Sequence, residues 1–302
     1  MRAGTHDLQR GVGDTSDVDL ELRPGLPEDA AACGEICYRA FATIAARHGY
    51  PGDFPSSEAA TALAASMLSH PGFYSVVAES GGRVVGSNFL DERTTIAGVG
   101  PITVDPEVQD RGVGKALMQA VMERAAESGF AGVRLLQAAY HTRSFALYSK
   151  LGFEVREPVA CLQGRPPRLA LSGYRVRPAA GEDAAACDAL CRAVHGHDRA
   201  GELSDAIAEG SARVVERDGV ISGYTTGVAF FGHSVGRSDE DLEALIADVA
   251  ALGGPGILVP ARRSVLLGWC LGQGLRVVQL LTLMSTGRYS EPAGAFMPSI
   301  LY

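Results

Sequence analysis

The spacing of apolar and polar positions changes along the chain between a period near two and one near three and a half, the alternation expected of strands interleaved with helices. Over residues 28–48, Tyr38, Phe41 and Ile44 fall on one face of a helical pattern, and Gly49-Tyr50-Pro51-Gly52-Asp53-Phe54-Pro55 breaks it. Ser56 and Ser57 offer a cap for a second helix ending near His70-Pro71. Strand patterns follow over 73–79, 83–90 and 96–104. Leu117, Val121 and Ala125 share the inward face of a helix over 112–128; next come a buried strand over 132–137, a short helix over 142–150 closed by Gly152, and strands through 153–163. Farther on, 181–193, 200–209, 239–252 and 262–271 read as helices, and 212–216, 220–230, 257–259 and 276–284 as strands. The tail from Phe296 to Tyr302 ends apolar, which predicts a terminus tied to the body.

This order of elements occurs twice. Asp29-Ala30-Ala31-Ala32-Cys33-Gly34-Glu35-Ile36-Cys37 recurs as Asp183-Ala184-Ala185-Ala186-Cys187-Asp188-Ala189-Leu190-Cys191, and each copy follows an Arg-Pro pair, Arg23-Pro24 and Arg177-Pro178. Later anchors are Gly82-Arg83-Val84-Val85-Gly86 against Asp218-Gly219-Val220-Ile221-Ser222-Gly223, and Leu151-Gly152-Phe153 against Gln273-Gly274-Leu275. The spacing between copies shrinks along the chain, so the second half is a shortened version of the first. The expected division is a disordered arm over 1–19, a first domain over 20–163, a linker over 164–172 and a second domain over 173–302.

Composition agrees with two globular domains: 302 residues, 46% hydrophobic and 21% charged. A net charge of −8 argues against a nucleic-acid partner, which usually meets a basic face. No apolar run approaches the ~20 residues of a membrane span, and residues 1–19 lack the apolar segment of a secretory signal, so a cytoplasmic protein is expected. The six cysteines include two Cys-x-x-x-Cys pairs. That spacing puts each pair on one apolar helix face, where free cysteine usually packs in the core; a metal site or a disulfide is the alternative.

Candidate chemistry concentrates in Val104-Asp105-Pro106-Glu107-Val108-Gln109-Asp110-Arg111-Gly112-Val113-Gly114-Lys115-Ala116-Leu117-Met118, a strand delivered through a glycine-rich bend to a helix N-terminus. The first turn of such a helix carries unpaired N–H groups and the positive end of its dipole, which suits a phosphate or diphosphate. Gly112 and Gly114 admit close approach, and Arg111 and Lys115 add cationic donors. A P-loop would need glycine at Gln109 and Ser or Thr at Ala116, and a dinucleotide fingerprint would need glycine at Leu117.

Gln109-x-x-Gly112-x-Gly114, preceded by Val104-Asp105-Pro106 and followed by Leu147-Tyr148-Ser149-Lys150-Leu151-Gly152-Phe153, resembles the GCN5-related N-acetyltransferase (GNAT) family over roughly residues 20–160. The resemblance implies an α/β chain with a mixed sheet, built as two tandem acyl-CoA N-acyltransferase folds. It implies acetyl-CoA as cofactor, with Gln109 and Asp110 opening the bend and the N–H groups from Arg111 through Val113 to Lys115 on the diphosphate. Main-chain groups of Ile102, Thr103 and Val104 would meet the pantetheine and thioester. Tyr148 stands where the family often has a tyrosine that protonates the departing thiolate; packing is its other role. His141 and Ser144 stand where asparagine and alanine are common, so His141 either touches the cofactor, serves the amine or lies at the surface. Asp91 and Glu92 are the candidate bases.

The second copy has Gly232-His233-Ser234-Val235-Gly236-Arg237 in place of the bend and Cys270 in place of the tyrosine. It resembles a degenerate GNAT domain that lends surface to the acceptor pocket, with His195-Gly196-His197-Asp198-Arg199 as the polar cluster expected to face it. The implied activity is acetyl transfer to a primary amine of a small molecule by direct attack in a ternary complex. A non-catalytic CoA-binding sensor or assembly module, and a protein N-acetyltransferase, are the alternatives.

Overall fold

The computed structural model describes residues 20–302, and the arm expected over 1–19 lies outside them. The chain starts with strand β1 (Leu20–Pro24), whose last residue has no N–H to continue a ladder. A turn locked by Asp29 leads into helix α1 (Ala30–Arg47). Ser56 caps α2 (Ser57–Ser69) by accepting the Ala59 N–H at 3.3 Å. There follow β2 (Phe73–Ser80), β3 (Arg83–Asp91), β4 (Ala97–Val99), β5 (Thr103–Val104), α3 (Val113–Glu127), β6 (Gly132–Ala138), α4 (Thr142–Lys150) and β7 (Glu154–Gln163). The second half repeats the order: β8 (Tyr174–Pro178), α5 (Ala184–His195), α6 (Ala200–Ala208), β9 (Arg213–Arg217), β10 (Val220–Thr225), β11 (Ser234–Gly236), α7 (Asp239–Asp248), β12 (Ile257–Pro260), α8 (Ser264–Gly272), β13 (Arg276–Gly287) and β14 (Ala295–Met297).

The repeat extends to atomic detail. Arg23 forks onto Asp29 at 2.7 and 2.8 Å and reaches Glu79 through Nε at 3.0 Å. Arg177 forks onto Asp183 at 2.7 and 2.8 Å and reaches Glu216 through Nε at 2.7 Å. In both copies the carboxylate also accepts a backbone N–H three residues upstream, from Leu26 or Ala180, at 2.8 Å. Each guanidinium holds its aspartate below the usual carboxylate range by these bonds. The recurring Arg-Pro and Asp-Ala-Ala-Ala segments are therefore the two ends of one strand-to-helix clasp.

The sheets do not follow the chain's two halves. One runs β1-β2-β3-β4-β6-β13-β7-β12 with β5 alongside β3, and the other runs β14-β11-β10-β9-β8. Strand β13 of the second half enters between β6 and β7, pairing from Leu281↔Ala138 to Gly287↔Gly132 on one side and from Arg276↔Gln163 to Ser285↔Glu154 on the other. Strand β7 of the first half in turn pairs with β12, from Ile257↔Leu162 to Pro260↔Val159. Each half has lent its long late strand to the other, so the expected linker over 164–172 divides the chain but not the sheet. Val159 and Cys161 of β7 share one buried cluster with Leu281, Leu283, Leu258, Phe296 and Tyr302. All six cysteines are buried and unpaired.

Three expectations need correction. The run over 96–104 is two short strands rather than one, because the chain leaves the ladder after Val99 and returns at Thr103. The strand expected over 220–230 ends at Thr225, where Thr226 turns to accept the His233 N–H at 2.8 Å. Strands β11 and β14 were not foreseen, since three residues show no measurable period. The tail is buried, with Phe296 and Tyr302 at 0% and 1% exposure. Gly98 permits this, because a Cβ there would run into the Leu301 carbonyl.

The break after Val99 opens a cleft. Strand β4 pairs in parallel with β6 only at Ala97↔Val133 and Gly98↔Arg134, while β5 stays on β3 through Gly86↔Val104 and Ser87↔Thr103. Beyond Gly98 the two central strands diverge.

If the exchanged strands bind the halves into one cooperative unit, Leu283→Ala should cost about 2–5 kcal/mol. Unfolding followed by Trp269 fluorescence in the second half and by hydrogen exchange of β3 amides in the first should then shift together; two separate transitions would contradict the shared sheet.

Candidate active site

The cleft between β5 and β6 broadens into a cavity of about 400 Å³. At one end stands the N-terminus of α3, entered through Gly112 in the left-handed region at φ 84°. The first bond inside this helix runs from the Ala116 N–H to the Gly112 carbonyl at 3.0 Å, leaving the N–H groups of Val113, Gly114 and Lys115 ahead of it without intrahelical partners. A Cβ at Gly112 would meet nothing within 4 Å, so the space outside the bend is open. Gln109, Asp110, Gly112, Val113, Gly114 and Lys115 all line the cavity, whereas Arg111 is exposed and does not. Arg143, on the first turn of α4, holds the bend by donating to the Asp110 carboxylate at 3.0 Å and to Gln109 Oε1 at 2.9 Å. Gln109 Nε2 meanwhile donates to the Val104 carbonyl at 3.3 Å, tying the bend to β5.

Along the cleft, Ile102, Thr103 and Val104 face Leu135, Leu136, Gln137 and Ala138. Tyr148 of α4 lines the same space, and burial pushes its phenol well up, so it is protonated at neutral pH. His141, the residue before α4, lies at the β6 end, where burial first and the Arg143 charge second hold its pKa down. Ser144 Oγ donates to the His141 carbonyl at 2.9 Å, and Gln137 Nε2 reaches both that carbonyl and Ser144, at 2.8 and 3.2 Å. These bonds fix the turn that delivers Tyr148.

The far end of the cavity is built by both halves. Phe41 and Ile44 come from α1, and Asp53 and Phe54 from the loop after it; Phe230, Phe231, Gln279, Leu281, Ile300 and Leu301 come from the second half. Asp53 accepts from Gln279 Nε2 at 3.3 Å. Sequence reasoning missed Asp53, Gln279, Tyr140 and Arg143. Asp53 had been absorbed into a helix-breaking Gly/Pro segment, and Gln279 into a strand of the other half.

Asp91 and Glu92 are corrected. Asp91 is 3% exposed and bonded to Arg93 at 2.6 and 2.9 Å, and Arg93 continues to Asp205 at 2.9 Å. Glu92 is clasped by Arg124 at 2.7 and 2.9 Å. Neither lines the cavity, since the end of β3 that carries them points at α3 and α6 rather than into the cleft.

The His195-to-Arg199 cluster is also displaced from its expected place. His195 is buried, with its Nδ1 2.9 Å from Tyr302 Oη and its Nε2 3.2 Å from His233 Nε2. Cys191 joins these two histidines with donor atoms all within 4.8 Å of one another. The guanidiniums of Arg134 and Arg199 lie over the adjoining Tyr302 ring at 4.6 and 5.4 Å, which opposes a cation there. The cluster is a buried joint that fixes the tail.

In the second half, the N-terminus of α7 carries Asp239, Glu240 and Asp241 in its first turn, and Asp241 itself accepts the Ser238 N–H at 2.9 Å. These carboxylates crowd the helix end that corresponds to the α3 N-terminus and disfavour an anion there.

Comparison with known proteins falls on this region. The acetyltransferase (GNAT) family model matches residues 41–153, the segment carrying the bend, the cleft and Tyr148. The first half of the chain thus carries a match to the GNAT family. Solved structures extend the likeness over both halves. One from Pyrococcus horikoshii covers 96% of this chain and 97% of its own, at 16% identity and TM-score 0.73. A tandem GNAT protein from the clavulanic acid biosynthesis pathway covers 89% and 98%, at 16% identity and TM-score 0.54. A GCN5-related N-acetyltransferase from Kribbella flavida covers 88% and 70%, at 18% identity and TM-score 0.51. At such identities these likenesses establish the fold. No curated protein matches the sequence.

GNAT enzymes take acetyl-CoA as acyl donor. The residues here fit it, because free helix N–H groups at an open bend can receive a diphosphate, and the cleft between β5 and β6 continues from them into the protein. No helix among the described residues is long and apolar enough to cross a membrane.

Gly112→Asp would place a carboxylate among those N–H groups and force a residue with a Cβ into φ 84°, which costs roughly 1–2 kcal/mol. Acetyl-CoA affinity measured by calorimetry should fall at least about tenfold; unaltered affinity would remove the bend from the cofactor site.

Proposed function

We propose that the protein transfers an acetyl group from acetyl-CoA to a primary amine of a small molecule, by direct attack while both are bound. The observation that carries this is the single cavity that joins the α3 N-terminus, the cleft between β5 and β6, Tyr148 and a chamber walled by both halves. In this reading the N–H groups of Val113, Gly114 and Lys115 hold the diphosphate. Ile102 to Val104 do not pair with β6, and the edge they turn to the cleft, apart from the Val104 carbonyl held by Gln109, is available to the pantetheine arm. When bound, acetyl-CoA supplies the thioester carbonyl that the amine attacks.

Tyr148 serves as the general acid. Its phenol is protonated at neutral pH and so can donate to the negative charge that develops on the sulfur as the C–S bond breaks. Gln137 and Ser144 position the start of α4 and hence the phenol. Phe230, Phe231, Ile300 and Leu301 of the second half wall one side of the chamber. This supports a small-molecule acceptor over a protein one.

Tyr148→Phe should lower kcat by about 10²-fold while leaving the dissociation constant of acetyl-CoA within about twofold. Stopped-flow thioester consumption combined with calorimetry checks both quantities. A kcat equal to that of the wild type removes Tyr148 from proton transfer.

A further inference from the structure

Two aromatic contacts pin the loop between α1 and α2. Tyr50 stacks on Tyr140 with ring centroids 4.3 Å apart, and Phe54 meets Phe41 edge-on at 5.8 Å. Asp53 is thereby held against Gln279 of β13, a strand of the other half. Among the described residues Asp53 takes part in no ion pair. Burial pushes its carboxyl up to about 6, opposed only by the Gln279 hydrogen bond. The titratable groups facing it are Cys37 on α1, Cys161 on β7 and Tyr140 at the end of β6, all raised by burial and therefore neutral at pH 7. Arg47 and Arg143 also line the cavity and help to lower the pKa of His141, and neither pairs with Asp53.

A second observation is independent of that carboxylate. Gln279 and Gln137 both line the cavity and are 6% and 3% exposed, and the Oε1 atom of each is buried without a hydrogen-bond partner. The Nε2 of Gln137 donates to the His141 carbonyl and to Ser144, so its carbonyl oxygen is the atom left over. Unsatisfied buried acceptors are uncommon and call for a donor. A carboxylate without a cation, beside a carbonyl oxygen without a donor, matches an ammonium group, which has three donors and no acceptor.

We propose that Asp53 and the Gln279 carbonyl oxygen bind the acceptor's ammonium group, that Asp53 takes its proton, and that the acceptor is therefore a primary amine on an apolar body without an anionic group. This rests on the transfer reading above. The body lies among Phe41, Phe54, Phe230, Phe231, Ile300 and Leu301, none of which can pair a carboxylate or phosphate. The protons balance. Asp53 accepts one from the ammonium and later releases it to solvent. The freed nitrogen lone pair forms the C–N bond as the C–S bond breaks. Tyr148 gives its proton to the sulfur, which leaves with the C–S electron pair, and the second proton lost by nitrogen restores the phenol through solvent.

The test uses the full-length protein with CoA bound and, as probes, 2-phenylethylamine, isoamylamine and the zwitterion phenylalanine. Calorimetry should show the wild type binding at least one of the two amines, with phenylalanine at least about tenfold weaker, and Asp53→Asn should weaken the amine at least about twentyfold with CoA affinity within about twofold. Gln279→Met gives the complementary readout. Losing the bond that holds the carboxyl down should move the acid limb of the kcat/KM profile upward from near pH 6 by about one unit, because stability of the charged carboxylate is reduced. A merely structural residue would lower kcat/KM at every pH and leave the limb in place, and a limb owned by His141 would also stay. Wild-type failure to bind either amine, equal amine affinity in Asp53→Asn, or an unmoved limb in Gln279→Met each overturns the proposal. Failure of acetyl-CoA to bind the wild type would be seen separately and would overturn the transfer reading itself.

Discussion

The pairing of β7 with β13 is the interaction on which the rest of the molecule depends. Each half of the chain contributes its long late strand to the neighbour's side of one sheet, so the backbone hydrogen bonds that complete the first half come from the second. A β-strand left without a partner exposes a row of unpaired N–H and C=O groups, and exchange removes that cost for both halves at once. It also sets the position of everything that follows β13. Because β13 lies next to β6, Gln279 reaches the cleft, and the chain beyond β14 returns under β4 to seat Leu301 against Gly98.

From that placement the cavity acquires two ends of opposite hydrogen-bonding character. At α3 the groups offered are donors: three helix N–H groups with Lys115 and Arg143 near them. At the other end they are acceptors: the Asp53 carboxylate and two glutamine carbonyl oxygens, set among aromatic and aliphatic walls. A long anionic cofactor and a short cationic acceptor would thus meet in the middle, beside Tyr148. The corresponding helix end of the second half is unsuited to an anion. The N-terminus of α7 is filled by its own acidic residues, and Cys270 stands fully buried where the phenol would be.

Much of this was legible in the sequence. The repeat, most helices and strands, the bend at Gln109 to Lys115 and the approach of Tyr148 to the cleft all rest on local patterns: apolar period, glycine placement and a spacing between two motifs. The carboxylates Asp91 and Glu92 were misread because a strand end next to the cleft is indistinguishable, from sequence, from a strand end facing another helix. Their partners, Arg93 and Arg124, reveal structural roles only once the fold brings them near. Asp53 and Gln279 lie 226 positions apart and belong to different halves, and their meeting depends on the strand exchange, which no local pattern encodes. The histidines of the second half drew attention as a polar cluster. Their actual partners are each other and Tyr302, inside the joint that anchors the tail.

The most direct measurement of the account is a crystal structure of the protein with CoA and 2-phenylethylamine bound. The account predicts diphosphate density on the N–H groups of Val113 to Lys115 and an ammonium nitrogen within hydrogen-bond distance of both Asp53 and Gln279 Oε1, so that the amine touches both halves of the chain. Amine density beside Asp91 and Glu92, or on a face formed by the first half alone, would contradict it.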